Sequence, residues 1–297
     1  MNKNAFAGYH PVVQLIFFTP VMLFTMFIQH PVYLIITLLA SLMTAISFGR
    51  RKALKVFLRF ILPAALLVGV INPLFNHAGV TIMWYFPDGN PFTMESMIYG
   101  FVSGLMFSSI MLWCLCIRHT LSSDKILYLF GRVSPKISLL LSMILRFLPL
   151  FAKHFQEVRG AQHCIGRDVN QGNLLKRIRN TVRIISSVIE WSMENAVDTA
   201  DALKSRGYGL HRRTSYSLYY FEARDGIMMT VTVLCSTITA VLYFTEQLDF
   251  YYYPVISPMT FEVQEIAGYI VFCILCYLPL AAHWREEQKW KSIQSGI

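Results

Sequence analysis

The stretch "PVVQLIFFTPVMLFTMFIQHPVYLIITLLASLMTAISF", residues 11–48, decides the fold class. It is apolar almost throughout and contains no Asp, Glu, Lys or Arg. A helix needs about 20 mostly apolar residues to cross a bilayer. The stretch therefore predicts two spans, residues 12–28 and 32–48, parted by the tight turn Gln29-His30-Pro31. Proline there is placed to start the second helix. Working outward, four more runs qualify or nearly do: residues 57–75, 97–117, 227–244 and 266–282. Lys3 precedes the first run, but a second run follows at once without a polar mature start, so these read as retained spans rather than a cleaved leader. Composition agrees: of 297 residues, 55% are hydrophobic and only 14% charged, against about a quarter charged in soluble domains. The expected fold class is an all-α integral membrane protein with about six transmembrane helices.

Basic residues set the orientation. The stretch "GRRKALKVFLR" carries Arg50, Arg51, Lys52, Lys55 and Arg59 with no acid, whereas "NHAGVTIMWYFPDGNPFTMES" holds Asp88 and Glu95 with no Lys or Arg. By the positive-inside rule the first is cytoplasmic and the second external, which puts both termini inside. Tyr251, Tyr252 and Tyr253 then fall in the last external loop, at the level of the aromatic belt. Residues 118–225, between the fourth and fifth spans, become a large cytoplasmic insert. It holds 17 Lys and Arg against 9 Asp and Glu, which is most of the chain's net charge of +9. In a membrane protein such a surplus points to the cytoplasmic face, not to a nucleic acid. The expected organisation is residues 1–117 as four spans, 118–225 as the cytoplasmic-face region, and 226–297 as two spans and a tail.

Within the insert, "PKISLLLSMILRFLPLFAKHF" is too apolar for a solvated helix and is interrupted by Arg146 and Pro149. It suits a helix in the membrane interface or against the bundle, kinked at Pro149. Farther on, Ile185, Val188, Ile189, Ser192, Met193, Ala196, Val197, Ala200 and Leu203 follow the spacing of one helical face, with Glu190, Glu194, Asp198, Asp201 and Lys204 opposite. Upstream, Leu174, Ile178 and Val182 continue the apolar pattern among Lys176, Arg177, Arg179 and Arg183.

Two helix ends in this insert are alike. "DALKSRGYG" stops on Ser205-Arg206-Gly207, and "AQHCIGRD" stops near Gly166 beside Arg167. Glycine closes a helix in the left-handed conformation, and a terminal cation suits the negative end of the macrodipole. Alone, each is accounted for as a helix cap. Paired about 40 residues apart, they also suit insertion into grooves on a soluble partner, the arginines meeting carboxylates or carbonyls.

Other chemistry is sparse. Cys114, Cys116, Cys164, Cys235, Cys273 and Cys276 lie mostly in apolar runs, and the C-x-x-C of Cys273 and Cys276 has no second pair to complete a zinc site. The eight histidines form no H-x-x-x-H pair, and no G-x-x-x-x-G-K-[ST] loop is present. An integral-membrane enzyme would need intramembrane carboxylates or a nucleophile with its base. Glu262 and Glu265 sit at a span edge, and Asn72, Asn76 and His77 near an external one. A self-contained secondary transporter is the other alternative, but the insert breaks the symmetry expected of inverted repeats.

The two arginine-bearing ends, with "NPLFNHAGVTI", "LRFLPLF" and "ENAVDTADALKSRGYG", resemble the transmembrane T component of energy-coupling factor (ECF) transporters, from "YHPVVQLI" through the fifth span. The resemblance implies a multi-pass cell-membrane subunit of an ABC importer for a vitamin or other micronutrient. Its partners would be two ABC-type ATPase subunits, which hold the ATP and Mg, and a small substrate-binding membrane S component. The chain itself would bind no cofactor and catalyse no reaction. The family's arginine motifs end coupling helices that seat on the ATPases, a role implied here for Ser205, Arg206 and Gly207. Aligned by its glycine, the upstream motif reads Cys164-Ile165-Gly166, so Ile165 takes the place of an arginine and Arg167, two residues on, is the candidate substitute. Met143, Ile144, Phe147, Val188, Met193, Ala196 and Ala200 are implied to face the substrate-binding subunit.

Overall fold

The computed structural model describes the chain apart from residues 1–4, 86, 88, 168–172, 209–218, 246, 259–262 and 296–297. Asp88, Asp168, Gly209 and Glu262 of the stretches above lie outside the described residues. The chain divides into two compact units, Met1–Ile126 with Tyr219–Ile297, and Leu127–Leu218.

The first unit is built from α1 (Pro11–Phe27), α2 (Pro31–Val56), α3 (Leu62–Phe75), α4 (Met94–Thr120), the start of α5 (Ser123–Val133), α8 (Ala223–Phe244) and α9 (Val263–Ser295). Among the described residues, six helical segments are long and apolar enough to cross a membrane: Pro31–Gly49, Lys52–Phe75, Met94–Thr120, Lys136–Cys164, Ala223–Phe244 and Val263–Lys289. This is the all-α membrane class read from the sequence, with two differences. The first run forms a helix of 17 residues, shorter than the six. The insert's first long helix, Pro135–Cys164, is also long and apolar enough, because it runs through Pro149 without a break.

The basic stretch after the second span is helical rather than a loop. α2 continues to Val56, and a π-helical turn, Phe57–Ile61, passes directly into α3. The chain nevertheless reverses within this segment, as its packing on α4 reveals. Thr37 meets Trp113 and Ser41 meets Cys116, so α2 runs parallel to α4. Gly69 meets Gly100 and Ala65 meets Gly104, so α3 runs antiparallel to it. Within the stretch that the basic-residue pattern assigns to the outside, β1 (Ile82–Tyr85) and β2 (Pro91–Thr93) form a small antiparallel hairpin.

Aromatic rings fill the centre of this unit. Trp113 is fully buried, edge-on to Phe17 and Phe18 at centroid distances of 6.0 and 6.2 Å. Its indole N–H donates to Thr37 Oγ1 (2.9 Å), which pairs with Thr25 Oγ1 (3.1 Å). Hydrocarbon offers no water to solvate such groups, so they find partners on neighbouring helices. Thr44, Thr232 and Thr239 instead bond the carbonyl one turn back.

A polar clamp gathers the chain ends of α1, α4, α8 and α9. Buried Lys125 donates to the carbonyls of Ala7 and Thr120 and to Gln14 Oε1, while Gln14 Nε2 donates to the carbonyls of Phe6 and Tyr9. Burial pushes the Lys125 ammonium down to about 8. Asp225 accepts from the backbone N–H groups of His10 and Glu222. Arg224 reaches Glu222 and Glu286, each at 2.8 Å, and lies over the Tyr9 ring. These bonds fix the helix ends that the apolar core cannot position by itself.

At the other end of the bundle a histidine caps α2. His30 Nδ1 accepts from the Val32 N–H (3.3 Å), and Pro31 occupies the first helical turn as its fixed φ favours. The acceptor role of Nδ1 assigns the proton to Nε2, which lies 3.2 Å from the Tyr269 hydroxyl. Tyr33 and Tyr269 pack against the ring. Burial depresses the His30 pKa below 6.5, and the Glu265 charge opposes this more weakly. A depressed folded-state pKa contributes stability that is present above 6.5 and is lost as pH falls through the lower folded value. Thermal unfolding of the purified chain at pH 7 and pH 5 checks this. The wild type should lose on the order of 1 kcal/mol on acidification through loss of the cap, and His30→Asn, a cap that does not titrate, should lose less.

Candidate functional site

The second unit consists of the rest of α5 with α6 (Pro135–Cys164) and α7 (Leu174–Ser205). Its two long helices are held by an aromatic clasp. Phe147 stacks on Phe151 at 5.9 Å, Phe151 meets Trp191 edge-on at 6.0 Å, and Trp191 stacks on His154 at 4.3 Å. Ile184 is fully buried. Ser138 Oγ donates to the Leu127 carbonyl, tying α6 to α5. Lys153 and His154 approach Glu157 at 3.8 and 3.4 Å, surface pairs that contribute little.

Both helix ends of interest close with the same hydrogen-bonded loop. At the end of α7, Arg206 is the C-cap (φ −81°, ψ 8°) and Gly207 follows in the left-handed region (φ 78°). The Gly207 N–H donates to the Lys204 carbonyl (2.9 Å) and the Tyr208 N–H to the Leu203 carbonyl (3.0 Å). At the end of α6, Ile165 is the C-cap (φ −90°, ψ 4°) and Gly166 follows at φ 76°. The Gly166 N–H donates to the His163 carbonyl and the Arg167 N–H to the Gln162 carbonyl, both at 2.9 Å. This 6→1 and 5→2 pairing is the Schellman motif, which satisfies orphan carbonyls and turns the chain off the helix axis. Only glycine enters that conformation without a steric penalty.

The geometry fixes the equivalences. Ile165 occupies the position of Arg206, Gly166 that of Gly207, and Arg167 that of Tyr208. Arg167 therefore does not continue the helix; it sits where the backbone has already turned. Cys164, Ile165, Gly166 and Arg167 are exposed, as are Ser205 and Arg206, with Gly207 half-buried. Nothing lies within 4 Å of the space above Gly166. Ser205 Oγ donates back to the Ala202 carbonyl, so its hydroxyl is engaged in finishing the helix.

The apolar residues assigned to a membrane partner divide. Ile144, Met193, Ala196 and Ala200 are exposed, whereas Met143, Phe147 and Val188 are half-buried within this unit. Leu148, 63% exposed, and Val197, 62% exposed, belong to the open surface; Val197 lies on the apolar face read from the sequence, whereas Leu148 escapes that reading. Trp191 and His154 escape it too. Their signal is faint, because one tryptophan beside an acidic stripe does not announce that it clasps another helix. Among the described residues, no three His, Cys, Asp or Glu side chains gather as a metal site.

Comparison with known proteins places these helix ends in a wider setting. Residues 3–216 match the family model described as CbiQ, cobalt transport protein. The energy-coupling factor transporter transmembrane protein EcfT of Lactococcus lactis subsp. cremoris (strain MG1363) is 34% identical over 109 residues, 36% of this chain and 41% of that protein. EcfT 1 of Listeria monocytogenes serotype 1/2a (strain 08-5578) is 29% identical over 215 residues, 67% of this chain and 77% of the relative. EcfT of Lactobacillus helveticus (strain DPC 4571) is 32% identical over 111 residues, 37% of this chain and 40% of the relative. The chain thus spans about two fifths of the Lactococcus and Lactobacillus proteins and about three quarters of the Listeria one.

Proposed function

The chain belongs to the CbiQ family of cobalt transport proteins, and from that membership we propose that it is the transmembrane coupling subunit of an ECF-type ABC importer. Two ABC-type ATPase subunits hold ATP and Mg and carry out hydrolysis, and a substrate-binding S component recognises a vitamin or other micronutrient. The chain sits in the cell membrane with both termini cytoplasmic and catalyses no reaction itself. The observation that carries this reading is the pair of identically built, exposed helix ends at Ile165-Gly166 and Arg206-Gly207. A helix end locked by its own backbone bonds presents its C-cap side chain on a rigid stem, which suits transmission of force.

The mechanism follows from that rigidity. ATP binding closes the ATPase pair, and each helix end moves with the groove that holds it. Ser205, Arg206 and Gly207 form the tip on α7, and Cys164, Ile165, Gly166 and Arg167 the tip on α6. Because Trp191, Phe151 and His154 clasp the two helices, displacement of one tip is felt along both. Their outer apolar face, including Ile144, Met193, Ala196 and Ala200, contacts the S component. The small Ala196 and Ala200 side chains permit close helix approach there.

The test is reconstitution. The chain is co-purified with the ATPase and S-component candidates of its host and placed in proteoliposomes with labelled substrate. Uptake that requires ATP and all subunits is the expected result. Substrate turnover by the isolated chain, or uptake driven by an ion gradient without ATPases, would overturn the proposal in favour of an enzyme or a secondary transporter.

A further inference from the structure

α7 has two apolar faces, and packing within its unit uses only one. Ile184 is fully buried and Trp191 joins the aromatic clasp. The other face carries Leu174 (71% exposed), Leu175 (77%), Ile178 (60%), Val182 (55%), Ile185 and Ile189. At 3.6 residues per turn its centre lies about 130° around the helix from Ile184. Six large aliphatic side chains on one open arc are more than scattered surface residues, and they call for an occupant.

The charges beside this arc indicate which. Residues 174–189 contain Lys176, Arg177, Arg179 and Arg183 and no acid, whereas residues 190–205 contain Glu190, Glu194, Asp198 and Asp201 with Lys204 alone as a cation. Lys176, Arg179 and Arg183 lie on the same side of the helix as these acids, so one polar stripe changes sign halfway along. The order opposes the helix macrodipole, which favours anions near the N-terminus and cations near the C-terminus. The helix does not benefit from this arrangement, so its use lies outside the helix. An aliphatic arc flanked by Arg177 on one side and by Arg179 and Arg183 on the other matches a surface with an apolar interior and anionic rim.

We propose that residues 174–189 of α7 form an interfacial segment that binds anionic phospholipids. Leu174, Leu175, Ile178 and Val182 enter the acyl region, and Lys176, Arg177, Arg179 and Arg183 engage headgroup phosphates. The acidic half, residues 190–205, is repelled by the same headgroups. The lipid contact thereby anchors the start of α7 and leaves its Arg206 end free of the membrane surface. The inference stands on charge and exposure and does not depend on the coupling role.

Hydrogen exchange of the full chain in nanodiscs tests it, comparing phosphatidylcholine alone with phosphatidylcholine containing phosphatidylglycerol. Amides of residues 174–189 should exchange on the order of ten-fold or more slowly in the anionic discs, as expected from the attraction of each basic residue to such a surface. Residues 190–205 should show no such slowing. The triple variant Lys176→Gln, Arg179→Gln, Arg183→Gln should lose the lipid dependence, with exchange across α1–α4 unchanged as the control for folding. High salt should produce the same loss in wild type without any substitution. Equal protection in both disc types would overturn the proposal. So would retention of the lipid dependence by the triple variant, or protection that arises only when ATPase or S-component proteins are added, which would make a protein the occupant.

Discussion

Arg206→Glu is expected to strip the ATPase subunits from the complex and abolish ATP-driven uptake while leaving the chain folded. The separation of the two effects follows from the helix end. The carbonyls of Leu203 and Lys204 are satisfied by the Tyr208 and Gly207 N–H groups, so the arginine side chain is not needed to close α7. Reversing its charge costs the helix about 0.3–1 kcal/mol through the macrodipole. At an interface, loss of one partner of a hydrogen-bonded charge pair costs about 2–5 kcal/mol, roughly thirty-fold or more in affinity, and a repulsive carboxylate adds to it. Pull-down of the ATPase subunits and uptake in proteoliposomes measure the outcome. Association and transport at wild-type levels in Arg206→Glu would sink the coupling role. At the other tip the equivalence of Ile165 with Arg206 makes a sharper comparison. Ile165→Ala should weaken association little if Arg167 supplies the charge from its turned position, and Arg167→Glu should weaken it strongly. The opposite order would assign the grip at that tip to the apolar Ile165 side chain.

Much of this architecture is legible in the sequence because hydrocarbon imposes a simple rule on it. Long apolar runs mark spans, and Pro31 marks the start of α2. Gly166 and Gly207 mark the closing turns, since few other residues accept a positive φ. The equivalence of Ile165 with Arg206 is also readable, by counting back from each glycine. What hydropathy does not reveal is where a helix bends or stops inside a permissive run. Lys and Arg are good helix formers, so the basic stretch after the second span continues as helix through Val56 although its charges resemble a loop. α6 likewise runs on through Pro149, although proline removes a backbone donor from the ladder. The clamp around Lys125 and Asp225 joins residues more than a hundred positions apart, and no local pattern encodes such a meeting. Similarly, the Trp191–His154 clasp depends on how α6 and α7 are rotated, not on either periodicity alone.

Gly100→Val should be the most damaging single apolar substitution in the bundle, and the contact of α3 with α4 explains why. A Cβ at Gly100 would collide with the Gly69 carbonyl oxygen and would stand 3.2 Å from both Asn72 Cβ and Pro73 Cδ. One turn farther, a Cβ at Gly104 would come within 2.5 Å of the Ala65 carbonyl. The obstacles are chiefly backbone and a proline ring, which cannot rotate away as a long side chain does. The spacing Gly100-x-x-x-Gly104 is the small-residue pattern that lets membrane helices approach closely, and counting apolar residues passes over it because hydropathy ignores shape. Overpacking of this kind costs about 1–3 kcal/mol and sometimes more, and valine adds two methyl groups beyond the Cβ that already collides. The contact is asymmetric, which supplies an internal control. A Cβ at Gly69 would lie 3.5 Å from the Gly100 carbonyl oxygen, an ordinary van der Waals separation. Gly69→Ala should therefore be neutral or stabilising, with up to about 1 kcal/mol gained from helix propensity. Thermal unfolding of both variants in detergent should show Gly100→Val melting well below wild type and Gly69→Ala at or above it. A Gly100→Val protein as stable as Gly69→Ala would mean that close approach of the backbones does not hold α3 to α4.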